Sequence, residues 1–280
     1  MVLAIFWDAT VPLLTTDPPH RSIIHYEVYG KGRPVLFLHG WLGSWQLWRP
    51  TIEKVGEQYR TYSLDFWGFG ESRKAGTNEE AVQEFSVDAY VDMVRQFMDR
   101  LGIPKAAVVG HSMGGTVALK CALQYPERIV RVGVVGSPVN GESLYLGLKI
   151  GGNPVMAGLG FAFYPILRAI VGTYLYFSAN DGAAVRRMML DDLSRVNLQS
   201  FFQSIGTLRR TDLTHQLHRI HQPVLGMYGK KDIIVHYNQH ELVGKIENAQ
   251  LSLFDNAGHF PMADDPERFI NDLLNFLDAR

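Results

Sequence analysis

The sequence predicts an α/β fold built on a mostly parallel sheet with helices on both faces. Three observations predict it. Short apolar runs recur at residues 34–38, 106–109, 130–135 and 224–228, the third interrupted only by Arg131, and such runs suit strands covered on both faces. Stretches with helical periodicity lie between them, and an alternation of strand and helix implies parallel pairing through helical crossovers. The chain has 280 residues and is 46% hydrophobic, which supplies one large core and argues against disorder.

In chain order, residues 24–29 alternate as a strand and end at Gly30-Lys31-Gly32, a hairpin-type punctuation. Residues 34–38 and 62–65 read as the next strands. Ser86 is placed to cap a helix in which Tyr90, Val91, Val94, Phe97, Met98 and Leu101 share one face, and Gly102 and Pro104 end it. Strands follow at 106–109 and 130–135. The rhythm then breaks between Pro138 and Arg219, where aromatic residues and glycines abound and no strand pattern is visible. This predicts a helical cap inserted at 139–218 into a core formed by 1–138 and 219–280. The core resumes with strands at 224–228 and 251–254. A last helix opens at Asp265-Pro266-Glu267, with Phe269, Ile270, Leu273, Leu274 and Leu277 inward and Asp264 and Asp265 as its cap.

Charge excludes one class of function. The formal net charge is −1 and the basic residues are scattered, whereas a nucleic-acid partner calls for a basic patch. The single cysteine, Cys121, rules out an intrachain disulfide, sits in an apolar helical stretch and fits a reducing compartment. Residues 1–8 lack a basic n-region and make a poor signal peptide. These observations lead to an expectation of a cytoplasmic protein. Residues 154–177, with Arg168 as their only charge, are long enough to cross a membrane. Pro154, Pro165 and the glycines between them favour a greasy lid, so no stable membrane span is expected.

The chemistry is concentrated in Gly110-x-Ser112-x-Gly114, which follows an apolar strand and precedes a helical run. That setting presents a serine hydroxyl at a sharp strand-to-helix turn, with glycines where side chains would clash. Hydroxyl attack on a carbonyl creates an oxyanion, which needs donors aimed at it. The backbone N–H of Met113 is one candidate. The N–H of Trp41 is the other, on the loop Leu38-His39-Gly40-Trp41-Leu42-Gly43, with His39 and Gly40 supporting that loop. The serine also needs a base. Of ten histidines, His259 lies in Asn256-Ala257-Gly258-His259 just after a strand, where sites of open α/β sheets gather. His111 flanks the serine and is expected to point away from its hydroxyl. The acid that orients the base is Asp232, in Gly229-Lys230-Lys231-Asp232; Asp255 is the nearest rival, and Asp65 is read as a structural brace. No metal or cofactor is called for.

Taken in order, strand-His39-Gly40, Asp65-x-x-Gly68-x-Gly70-x-Ser72, Gly110-His111-Ser112-Met113-Gly114-Gly115, Gly229-x-x-Asp232 and Gly258-His259 resemble the α/β-hydrolase superfamily over residues 24–280. The resemblance implies the α/β-hydrolase fold with a helical cap, and the branch of carboxylesterases, haloperoxidase-like perhydrolases and meta-cleavage C–C hydrolases. Relatives with an aspartate nucleophile differ from this chain at Ser112. Meta-cleavage hydrolases usually carry asparagine and tryptophan where this chain has His111 and Phe260. The expected activity is hydrolysis of small to medium, apolar carboxylic esters through an acyl-enzyme on Ser112, with a small-molecule ester as the partner. Perhydrolysis or C–C cleavage on the same three residues, and a non-catalytic ligand receptor, are the rival readings. The oligomeric state is left open.

Overall fold

Strands rich in Val, Leu and Ile on both faces are stable only when both faces are covered, and the chain meets that requirement with a helix after almost every core strand. The computed structural model describes residues 13–15, 22–74, 85–196 and 198–279. The first half runs β1 (Leu13–Thr15), β2 (Ser22–Tyr29), β3 (Pro34–Leu38), α1 (Arg49–Val55), β4 (Arg60–Leu64), β5 (Arg73–Lys74), α2 (Val87–Arg100), β6 (Ala106–His111), α3 (Met113–Gln124) and β7 (Ile129–Val135). Five helices follow without a strand among the described residues: α4 (Leu146–Gly151), α5 (Pro154–Ala162), α6 (Tyr164–Tyr176), α7 (Gly182–Leu193) and α8 (Leu198–Arg210). The chain closes with β8 (Val224–Gly229), α9 (Gln239–Val243), β9 (Ala249–Phe254), α10 (Pro261–Asp264) and α11 (Pro266–Asp278).

The strands form one sheet in the order β1-β2-β4-β3-β6-β7-β8-β9, with β5 beside β2. Every pair from β4 to β9 along that order is parallel, and β2 is antiparallel to β4. The fold class read from the sequence is therefore the observed one. The hairpin reading of Gly30-Lys31-Gly32 is corrected, because β4 lies between β2 and β3, with Tyr29 opposite Thr61. The glycines serve a different need. Gly30 has φ 71°, and a Cβ there would lie 2.0 Å from the Gly56 carbonyl oxygen, so the connection presses against the end of α1. The edge strands β1 and β5, three and two residues long, are too short to show a periodicity.

The caps follow sequence chemistry. The Ser86 hydroxyl accepts from Ala89 N–H at 3.1 Å to open α2. Asp265 accepts from Arg268 N–H to open α11, which buries Phe269, Leu273, Phe276 and Leu277 while Ile270 and Leu274 stay half-buried. Cys121 is buried on α3, and burial pushes its thiol up to about 12, so it packs as a small hydrophobe. The helical excursion leaves and rejoins the core at one place, where Asn140 bridges Asp212. Among the described residues no single helix is long and apolar enough to cross a membrane, and α5 and α6 are bent by 109° at their junction. Residues 1–8, read as a poor signal peptide, lie outside the described residues.

Candidate functional site

The carboxyl ends of β3, β6, β8 and β9 carry Trp41, Ser112, Asp232 and His259 respectively, all on one edge of the sheet. Between β3 and β6 the strand order reverses direction, and a crevice opens at such a switch point.

Ser112 joins β6 to α3 with φ 51° and ψ −121°. Among the described non-glycine residues only Leu42 shares a positive φ. Its surroundings over-determine this strained conformation. The Ser112 N–H donates to the Val135 carbonyl at 2.8 Å. A Cβ on Gly110 would lie 2.1 Å from the carbonyl carbon of Gly114, one on Gly114 2.4 Å from Leu38 O, and one on Gly115 2.0 Å from Ser137 Oγ. Only glycines let α3 start this close to three strands, and that start fixes the serine. Met113 is the first residue of α3, so its N–H has no acceptor within the helix and sits at the positive end of the helix dipole.

The loop after β3 closes over the serine. Gly43 N–H donates to Gly40 O at 3.1 Å, and a Cβ on Gly40 would lie 3.0 Å from Ser112 Cβ. Buried His39 fixes both flanks: its Nε2 accepts from Phe66 N–H at 2.9 Å and its Nδ1 donates to Gly40 O at 2.7 Å. Burial lowers the His39 pKa, in keeping with a neutral ring using one nitrogen each way. The Trp41 side chain does something the sequence did not suggest. Its Nε1 donates to Phe201 O of α8 at 2.9 Å, with the two rings 4.6 Å apart, tying this loop to the helical excursion.

His259 and Asp232 meet. The His259 Nδ1 donates to Asp232 Oδ2 at 2.7 Å, while Asp232 Oδ1 accepts from the N–H groups of Ile234 and Val235 at 2.7 and 2.9 Å. A carboxylate only accepts, so the Nδ1 proton is held there and Nε2 of the neutral ring is left with its lone pair. Both side chains are almost fully buried. His111 packs on this pair: its Nε2 donates to the His259 carbonyl at 2.9 Å, with ring centroids 4.6 Å apart. Burial holds its pKa well below the usual histidine value.

Three contacts here had no signal in the sequence. Asp264, read as a helix cap, instead accepts from Gly258 N–H at 2.7 Å and from Asn180 N–H at 2.6 Å. It thereby bridges the His259 loop and the segment after α6. The His259 N–H donates to Ser178 O at 2.9 Å. The third is Asp192 of α7, buried against the loop after β3. Burial pushes its carboxyl up to about 7, against the lowering effect of the Ser44 hydroxyl and with help from the Asp65 charge. Its Oδ2 has no hydrogen-bond partner among the described residues.

Asp192 makes a pH prediction. Its carboxyl keeps a proton to higher pH folded than unfolded, so its contribution to stability is full below about pH 4 and is lost as pH rises through about 7. The amide of Asp192→Asn does not titrate. Between pH 4.5 and 8 the melting temperature of that variant is expected to gain on the unsubstituted protein by about 5 °C. A difference that stays constant with pH, read by calorimetry, sinks the assignment.

Asp65 proves to be the brace the sequence suggested. It accepts from Trp45 N–H at 2.6 Å, Glu71 N–H at 2.9 Å and His25 Nδ1 at 2.9 Å. For His25, burial lowers the pKa, but the hydrogen bond and charge of Asp65 outweigh it and leave it raised. This second buried His–Asp pair lies outside the cavity described next.

Ser112, His259, His111 and Trp41 line one cavity of about 840 Å³. The rest of its wall is Leu, Ile, Val, Met, Phe and small residues, with Thr173 and Tyr174, drawn largely from the helical excursion, and no Asp, Glu, Lys or Arg is among the described lining residues. No cluster of metal-ligating side chains occurs among the described residues.

Comparison with known proteins agrees with the fold. Residues 33–149 match a family model described as alpha/beta hydrolase fold. An uncharacterised protein of Mycobacterium tuberculosis is 27% identical, with 97% of this chain and 83% of that protein covered. A pimeloyl-[acyl-carrier protein] methyl ester esterase of Aliivibrio fischeri is 26% identical over 91% of this chain and 97% of its own. A hydrolase from Pseudomonas aeruginosa superposes with a TM-score of 0.79 at 21% identity, covering 97% of this chain and all of the other.

Proposed function

We propose, from the premise that this chain has the α/β-hydrolase fold and matches that family's model over residues 33–149, that it is a serine hydrolase of carboxylic esters with apolar acyl groups. The observation that carries this reading is a strained Ser112 and an Asp232-held His259 on the wall of one uncharged cavity. In the reading, residues 139–218 are the cap and supply most of that wall.

The chemistry follows in two halves. His259 Nε2 takes the Ser112 proton as Oγ bonds to the ester carbonyl carbon, and the Met113 and Trp41 N–H groups receive the oxyanion. As the carbonyl re-forms, the C–O bond to the alcohol breaks and His259 returns the proton to the leaving oxygen. Water then gives a proton to His259 and its hydroxyl to the acyl carbon, the bond from that carbon to Ser112 Oγ breaks, and His259 returns the proton to Oγ as the acid leaves. Asp232 stabilises the imidazolium in both halves.

The uncharged wall also weighs against a dioate substrate of the kind named for a relative, a 2-hydroxy-6-oxononadienedioate/2-hydroxy-6-oxononatrienedioate hydrolase of Paraburkholderia phymatum that is 27% identical. A dioate has two carboxylates, and burying them without a cation is costly.

The test is a series of p-nitrophenyl esters with a fluorophosphonate probe. The probe is expected to label one serine, located in the peptide containing Ser112. The value of kcat/KM is expected to rise about tenfold or more from acetate to hexanoate, since each buried methylene contributes about 0.8 kcal/mol. A folded protein that neither reacts with the probe nor turns over any ester overturns the reading.

A further inference from the structure

The helical excursion is apolar where it meets solvent. Among the described residues, ten of the fourteen exposed large apolar side chains fall within residues 146–177. Helix α5 is apolar on all sides, a pattern that belongs to a buried helix, yet only Ala157 of it is buried. Phe163, Ile166, Ile170 and Phe177 are 59–68% exposed. A contiguous apolar surface of this kind marks an interaction site.

Three observations identify the occupant. Ile150, Met156, Leu159, Phe163, Ile166 and Ile170 are exposed and also line the cavity that holds Ser112, so the apolar face is the rim of the entrance. The charge around it is net basic, although Lys149 pairs with Glu142 at 3.0 Å and Asp191 sits beside Arg186 and Arg187. Residues 143–180 contain no acidic residue, and residues 142–187 hold four basic residues against two acidic ones in a chain with balanced charge. Arg209 and Arg210 add exposed charge beside α4, Arg209 donating to Lys149 O. Finally, α5 and α6 are about 14 and 20 Å long and bent by 109°. Neither crosses a hydrocarbon core of about 30 Å, but two short apolar helices set at such an angle can both lie in the plane of a bilayer interface.

We infer that this face seats on the surface of an anionic lipid bilayer, with α5 and α6 in the interface and the cavity opening onto the acyl chains. The inference extends the esterase reading but does not depend on it, since seating needs no turnover. An acyl substrate dissolved in the membrane then reaches Ser112 along a continuous apolar path, without crossing water.

The test uses the full chain with vesicles of phosphatidylcholine alone or mixed with phosphatidylglycerol, and co-sedimentation as the readout. Binding is expected on the mixed vesicles, several-fold tighter than on neutral ones. Leu146, Val155 and Tyr176 are exposed but do not line the cavity. The triple variant Leu146→Ser, Val155→Ser, Tyr176→Ser is expected to bind mixed vesicles at least tenfold more weakly, while its melting temperature and its turnover of a short soluble ester are unchanged. Equal binding to both vesicle types overturns the anionic surface. Absence of binding overturns the inference, and a concentration-dependent dimer abolished by the same substitutions gives the face to a second copy of the chain. Ester turnover without vesicle binding leaves the hydrolase reading intact, and vesicle binding without turnover does the reverse.

Discussion

Under the proposed mechanism, replacing His259 by alanine is expected to lower kcat/KM for the preferred ester by about 10⁴–10⁶-fold without unfolding the protein. The loss is large because Ser112 without a base is an ordinary alcohol, and because nothing else in the described cavity wall can substitute. His111 is the nearest imidazole, but its Nε2 is committed to the His259 carbonyl, and burial holds its pKa so low that its remaining Nδ1 is a poor proton acceptor. The fold is spared because the backbone hydrogen bonds of the His259 loop do not involve the ring, and Asp232 keeps its two N–H donors. Asp232→Asn is expected to reach a similar loss by another route. The amide oxygen can keep the Ile234 and Val235 N–H groups, which turns the NH₂ toward His259 Nδ1, so that nitrogen must accept and Nε2 carries the proton. The base is then blocked in the wrong tautomer. Adding His259→Ala to Asp232→Asn is expected to cost little more, because the residues act as a unit. A loss below about tenfold in either single variant, measured on protein of unchanged circular dichroism, removes that residue from the mechanism.

The largest effect on stability is expected from Gly110→Ala. The new methyl group would need to share space with the Gly114 carbonyl at 2.1 Å. Both partners are backbone, one in the central strand β6 and one in the first turn of α3, so no side chain can swing aside. Separating them lifts α3 off the sheet and displaces Ser112 with it. A cost above about 3 kcal/mol is expected, in the range of severe core overpacking, with activity lost in step. Gly102→Ala is the comparison. Gly102 has φ 62° but open space around it, so only the backbone strain of about 1 kcal/mol applies. Urea midpoints for the two variants should differ by at least a factor of two in their shift. Similar shifts would mean that conformation, and not the close approach, sets the need for glycine at 110.

Those two glycines also show what the sequence could reveal. Buried parallel strands announce themselves as apolar runs, and the elbow around Ser112 is written in small residues whose spacing is local. The residues proposed as nucleophile, base and acid could be singled out because each sits within a few positions of a strand end. The insertion of β4 between β2 and β3 could not, because strand order depends on packing across the sheet and leaves no mark on Gly30-Lys31-Gly32. Asp264 was misread for the same reason. Beside Asp265 and Pro266 it has the chemistry of a cap, and only the fold brings Asn180 within its reach. The helical excursion was legible as an interruption of rhythm, but its contacts with Trp41, Ser44 and His259 join positions more than sixty residues apart.

One of those contacts bears on how such a protein can change over evolution or under redesign. The His259 N–H rests on the Ser178 carbonyl, a Cβ on Gly258 would lie 2.3 Å from that same oxygen, and Asp264 clasps the neighbouring Asn180. Residues 178–180 therefore belong to the scaffold of His259, although they lie within the helical excursion. Recombination that exchanges the helices up to residue 176 can retune what enters the cavity while leaving His259 where it is. A crossover placed a few residues later trades away its anchor. The junction between the part free to diversify and the part held fixed runs through the middle of the excursion, not along its boundary with the sheet.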